Sequence, residues 1–238
     1  MNKLKSIIQY ECMTSFKYIW IFYAIQYAIV GLITLIIGIV SGSFENVGTN
    51  CLEINTLFFV SILGALGFKE DFKTLIQNGF TRKYIFIAAL SLFSFMSGIM
   101  AFIDTVVGNF LHYFNKDYTS LYSGIYGYDN IVMNWLFLVY VMFCCLLYLT
   151  ILIINKIGKT MSIYCGILFI GCIVLITALF RYVFSAELVK NILNFFMKAA
   201  GFVKGDTINY FYPSFSLLLI IGILGTTSFV VIRRTELK

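Results

Sequence analysis

Long apolar runs separated by short polar clusters make up most of this chain, and within the runs the polar positions are too sparse to draw a wet face. A helix that crosses a bilayer needs about 20 predominantly apolar residues. Six runs meet or approach that length: residues 18–40, 52–68, 84–111, 131–154, 161–184 and 214–232. The second is the shortest and weakest, because Glu53 and Asn55 stand at its start. The third is long enough to tilt. No fixed-period repeat runs along the chain.

Three other segments change rhythm. In KEDFKTLIQNGFTRK, residues 69–83, the apolar positions Phe72, Leu75 and Ile76 continue from Phe68 at helical spacing. Lys69, Glu70, Asp71, Lys73 and Thr74 fill the remaining positions. Asn78 and Gly79 tolerate positive φ and predict a helix stop, and Thr81 suits the N-cap of the next span. The pattern predicts a short amphipathic helix broken from the spans on either side. In AELVKNILNFFMKAAGFVK, residues 186–204, Glu187, Lys190, Asn191, Asn194 and Lys198 draw one polar stripe beside an apolar face, predicting an amphipathic helix before the last span. The first seventeen residues carry Leu4, Ile7, Ile8 and Met13 among Lys3, Lys5 and Glu11, and read as an interfacial helix ahead of the first span. They do not form a signal peptide, since charges interrupt any apolar core.

Composition turns these runs into a membrane protein. Of 238 residues, 61% are hydrophobic and 12% charged, about half the roughly 25% charge of a soluble domain. The expectation is all-α and polytopic: six transmembrane helices, an N-terminal interfacial helix, and a single transmembrane domain over residues 1–238. The net charge of +6 does not indicate nucleic acid, because the basic residues cluster at the ends of apolar runs. With the N-terminus in the cytoplasm, twelve of the 17 basic residues fall inside, including Lys69, Lys73, Arg82, Lys83, Arg233 and Arg234. The outer set is Lys116, Arg181, Lys190, Lys198 and Lys204. An even number of spans keeps both termini cytoplasmic and places the chain in the cell membrane, with residues 186–204 and positions such as Asn46 and Tyr126 outside.

Chemistry within the runs is sparse. Asp104 is the one ionisable residue deep in an apolar run, and a charge there is costly, so it must face the bundle interior or water. It reads either as a polar point on a substrate path with Asn109, or as a structural carboxyl bonded to neighbouring spans with Thr105 and Asn109 close by. His112, the single histidine, stands where the third span ends. One histidine excludes a zinc-protease arrangement. Gly158, Lys159 and Thr160 repeat the end of a P-loop, but Ile153 occupies the position of its first glycine, so the chain itself binds no nucleotide. No enzyme chemistry and no cofactor site in this chain are expected. Of the six cysteines, none in a CxxC pair, four lie inside apolar runs, where cysteine behaves as a small hydrophobe, and Cys51 alone falls near the outer face, so no intramolecular disulfide is expected. Gly38 and Gly42 form an isolated GxxxG pair.

The order of parts, and the segment KEDFKTLIQNGFTRKYIF at residues 69–86 above all, resembles the permease subunits of the type-two ABC exporter family, in particular small permeases linked to bacteriocin immunity and antimicrobial-peptide export. That resemblance implies a cytoplasmic coupling helix whose Lys69, Glu70, Asp71, Phe72, Lys73, Leu75, Gln77 and Asn78 face a separate ATPase subunit. ATP and magnesium would be bound by that partner. It also implies a second permease chain, identical or not, and a cargo that is an amphipathic or antimicrobial peptide or a hydrophobic drug. Two other readings stand beside it: a six-span substrate-capture subunit of an uptake transporter, and a stand-alone membrane immunity protein.

Overall fold

The computed structural model describes residues 2–42, 50–116, 118–127, 131–203, 207–209 and 211–234, and of these gives the backbone alone for 2–3, 66–74, 203 and 207–208. Eight helices account for nearly all of it: α1 (Asn2–Ser41), α2 (Glu53–Gln77), α3 (Arg82–Phe114), α4 (Leu121–Tyr126), α5 (Met133–Ile157), α6 (Lys159–Tyr182), α7 (Ala186–Ala199) and α8 (Phe211–Arg233). A minimal antiparallel hairpin, β1 (Phe202–Val203) with β2 (Thr207–Ile208), pairs Phe202 with Ile208 between α7 and α8. Five helices, α1, α3, α5, α6 and α8, are long and apolar enough to cross a membrane, and the apolar start of α2 adds a shorter one, Glu53–Ala65. The chain is thus an all-α protein with the helices of a multi-pass membrane protein.

Two sequence expectations are corrected. The N-terminal segment is not a separate interfacial helix: α1 runs 40 residues without interruption, about 60 Å at 1.5 Å per residue. That is twice a bilayer core of about 30 Å. No proline and no glycine before Gly31 exists to break it. Likewise α2 passes through residues 69–77 unbroken from the second apolar run. The sole break there is at Gly79, whose φ of +77° reverses the chain, with the Phe80 amide donating to the Leu75 carbonyl at 3.0 Å. The stop signal was legible, whereas nothing between Glu53 and Gln77 stops a helix. Thr81 takes the N-cap position of α3 but makes no side-chain cap bond; its backbone carbonyl receives the Tyr84 and Ile85 amides.

The chain divides into two compact units, residues 1–148 and 149–238. In the first, α3 carries the clearest stripe. Ile85, Ala88, Leu92, Met96, Met100, Ala101, Asp104 and Gly108 are buried at three- and four-residue spacing, one face of a 3.6-residue helix. Ile19 of α1, Val60 of α2, Met100 of α3, and Leu136 and Tyr140 of α5 are fully buried. Gly64 lets α2 approach α5 at backbone distance: a Cβ there would stand 2.9 Å from the Cys144 carbonyl oxygen. Small residues permit such approaches in membrane bundles, where packing rather than water drives association. At Gly42, of the GxxxG pair, no described atom lies within 4 Å of a Cβ position.

In the second unit, Ser185 caps α7, its hydroxyl receiving the Leu188 amide at 3.4 Å. Gly201, at φ +98°, turns the chain out of that helix, and Ser216 of α8 donates to the Ala199 carbonyl at 3.1 Å. No residue of α6 or α7 is buried, although α6 is apolar all round, the signature of a surface made for lipid or for another chain. Hydroxyls in the exposed helices bond within their own backbone, as Thr34 to Val30, Ser94 to Leu90 and Thr177 to Ile173 do. In a medium without water this is the means of satisfying them.

Candidate functional site

The first unit encloses a cluster of polar side chains drawn from four helices. Asp104 lies three turns before the end of α3 on its buried stripe and is 4% exposed. Tyr23 of α1 donates to Asp104 Oδ1 at 2.8 Å, and Tyr140 of α5 donates to Asp104 Oδ2 at 2.5 Å. Each phenol has a second acceptor in reach: the Met100 carbonyl at 3.2 Å for Tyr23, and the Glu53 backbone carbonyl at 3.3 Å for Tyr140. Thr56 of α2, fully buried, stands with its hydroxyl beside Asp104 and Tyr23.

Glu53 opens α2 and is 2% exposed. Its Oε1 receives the Tyr118 hydroxyl and its Oε2 the Leu121 amide, both at 3.4 Å. The segment between α3 and α4 is itself tied to the start of α2. Cys51 N donates to the Thr119 carbonyl at 2.9 Å, and Thr119 N donates to Asn50 Oδ1 at 3.2 Å. Positive φ at Cys51 sets up that pairing. Burial first, and then the neighbouring Glu53 carboxylate, push the Tyr118 phenol and the Cys51 thiol above their ordinary values. Among the described residues neither Glu53 nor Asp104 faces a lysine or arginine.

A groove of about 570 Å³ runs along α1 beside this cluster, walled by Phe22, Ile25, Gln26 and Ile29 and, around the start of α2, by Leu52, Ile54 and Asn55. Gln26 is buried in that wall. Its amide nitrogen donates to the Leu52 carbonyl at 3.3 Å and its carbonyl oxygen meets no partner.

Sequence reasoning singled out Asp104, and the structure places it at the centre of the cluster. Its companions differ from those expected. Thr105 bonds the Ala101 carbonyl of its own helix, and Asn109 receives the Ile131 amide at 2.9 Å, so neither touches the carboxyl. Nor is Asp104 alone, since Glu53, read as a mark against its span, is buried with it. His112 meets the Tyr118 carbonyl at 3.2 Å and belongs to the same end of the bundle. Tyr23 and Tyr140 carried no signal among 16 tyrosines. Of the positions expected to face an ATPase, Leu75 is half-buried and Gln77 and Asn78 are exposed. Lys69, Glu70, Asp71, Phe72 and Lys73 lie on the α2 backbone, outside the described side chains. Asn46 lies outside the described residues. Among the described residues no group of histidine, cysteine and carboxylate side chains is placed to hold a metal ion. Compared with family models, with curated proteins and with solved structures, the chain shows no match.

Proposed function

We propose that this chain is the membrane-spanning permease subunit of an exporter driven by a separate cytoplasmic ATPase. The observation that carries the reading is the continuity of α2. One helix of 25 residues, about 37 Å long, starts inside the buried cluster at Glu53 and Thr56 and ends in the charged segment through Gln77. At Gly79 the chain reverses directly into α3, which carries Asp104. A push on residues 69–78 is therefore delivered along a rigid rod to the polar centre of the bundle. A permease without a nucleotide site of its own needs such a lever. In this reading α2 is the sixth span, both termini and residues 69–83 are cytoplasmic, and α7 lies at the outer surface. Lys69, Glu70, Asp71, Phe72, Lys73, Leu75, Gln77 and Asn78 meet the ATPase, which holds ATP and magnesium, and a second permease chain completes the path. The cargo class is an amphipathic or antimicrobial peptide or a hydrophobic drug.

The test is co-purification of an ATPase with the parent chain and with Phe72→Ala and Glu70→Lys, together with hydrolysis stimulated by cargo. Phe72→Ala should weaken assembly or uncouple hydrolysis, since buried aromatic anchors dominate interfaces. Lys73→Ala should do less, because rim charges contribute little. If both Phe72→Ala and Glu70→Lys assemble and couple like the parent, α2 ends in a surface connector and the reading fails. A second reading has one observation in its favour. The groove beside Gln26, with aromatic, amide and apolar walls, has the character of a ligand site in a substrate-capture subunit.

A further inference from the structure

We propose that Asp104, clamped between Tyr23 and Tyr140, is a proton-binding site that takes up and releases one proton without any movement of heavy atoms. With the carboxylate charged, both phenols donate to it: Tyr23 to Oδ1 at 2.8 Å and Tyr140 to Oδ2 at 2.5 Å. When a proton arrives on Oδ2, that oxygen becomes a donor to the Tyr140 oxygen. The Tyr140 hydrogen then turns to the Glu53 backbone carbonyl, 3.3 Å away. Tyr23 continues to donate to Oδ1, now the carbonyl oxygen of the acid. One O–H bond forms, none breaks, and one hydroxyl rotates. Every polar atom of the trio is satisfied in both states, so neither suffers the cost of a buried unpaired group.

The same reasoning separates Asp104 from Glu53. Glu53 Oε2 faces the Leu121 amide at 3.4 Å, and a backbone N–H can only donate. Only Oε1 of Glu53, against the Tyr118 hydroxyl at 3.4 Å, is left to carry a proton, whereas at Asp104 the Tyr140 hydroxyl has a second acceptor to turn to. The groups that face Asp104 are Tyr23 and Tyr27 from α1, Glu53 from α2, Tyr140 from α5 and Tyr118 from the segment before α4. None of these is cationic, so among the described residues no fixed positive charge faces a carboxylate buried in an apolar bundle, and a proton can neutralise it. A sodium ion fits less well, because both carboxyl oxygens already point at hydroxyl hydrogens.

Two further polar side chains stand near the trio. Thr56 Oγ1 stands against the trio itself, ready as a further donor to the charged form. Gln26, one helical turn from Tyr23, lines the 570 Å³ groove and carries a buried carbonyl oxygen without a partner.

The experiment is infrared difference spectroscopy on the full chain in liposomes, stepped in pH, and it requires no partner subunit. The expected result is a carbonyl stretch of a protonated carboxylic acid that grows as pH falls, shifts in D2O, and is indifferent to replacing potassium by sodium. The band should be lost in Asp104→Asn. It should persist in Glu53→Gln, and move in frequency in Tyr140→Phe, which removes the hydrogen-bond partner of the acid. Asparagine mimics the neutral acid, its amide donating to the Tyr140 oxygen, so that variant should fold. Should it not, the frequency shift in Tyr140→Phe decides the matter. A band that survives Asp104→Asn, disappears in Glu53→Gln, responds to sodium in place of pH, or stays unmoved in Tyr140→Phe overturns the proposal. So does the absence of any titrating carboxyl band in the folded parent.

Discussion

Replacing Gly64 by alanine tests the packing on which the polar cluster depends. The added Cβ would lie 2.9 Å from the Cys144 carbonyl oxygen and 3.0 Å from its Cα, against a comfortable separation of about 3.5–4.0 Å. The obstacle is backbone, so no rotamer change relieves it, and α2 must retreat from α5 by roughly 0.5–1 Å. The same joint carries the Cys144 thiol donating to the Val60 carbonyl at 3.5 Å, which the retreat would stretch. Overpacking of this kind costs about 1–3 kcal/mol. Alanine returns at most about 1 kcal/mol in helix propensity. The net expectation is a loss of about 1–2 kcal/mol, a fall of a few degrees in unfolding temperature for a chain of this size. Gly98→Ala is the matched control. Among the described residues its Cβ would meet only the Phe137 ring, at 3.9 Å, so it should be neutral or slightly stabilising. Thermal unfolding of the two variants in one detergent, followed by circular dichroism, compares them directly. If Gly64→Ala unfolds at or above the parent's temperature, or if Gly98→Ala is the more damaging, the close approach of α2 to α5 is wrong.

Two other perturbations address the cluster. Asp104→Leu should cost no more than about 1 kcal/mol of stability, because each orphaned phenol retains a backbone acceptor; a loss several times larger, in the same unfolding assay, would mean that the carboxyl is the main tie between α1, α3 and α5. In a chain retaining only Cys51, maleimide labelling should be slow at neutral pH and accelerate as pH rises, since burial and the Glu53 charge hold the thiol protonated. Glu53→Gln should speed it in part, and labelling in intact cells by an impermeant reagent should succeed if this end of the bundle is outside.

What the sequence determined by itself is the set of helices and their solvent. Runs such as 161–184 have one stable solution in lipid, because every backbone donor and acceptor must be met within the segment. Local chemistry likewise determined the turn at Gly79 and the start of α7 at Ser185, where a single residue satisfies the backbone of its neighbours. The unbroken lengths of α1 and α2 were less legible: a change of polarity along a helix is a change of surroundings, and only a breaker changes the backbone. The cluster lay beyond the sequence altogether. Tyr23, Glu53, Asp104 and Tyr140 are 30 or more positions apart, on four helices whose relative rotations no local pattern records. Which phenol meets the carboxyl depends on how those helices pack, and that is set by contacts such as Gly64 against Cys144. Only tertiary structure could turn Glu53 from a flaw in an apolar run into the neighbour of Asp104, because the worth of a buried polar group lies in the partner it finds.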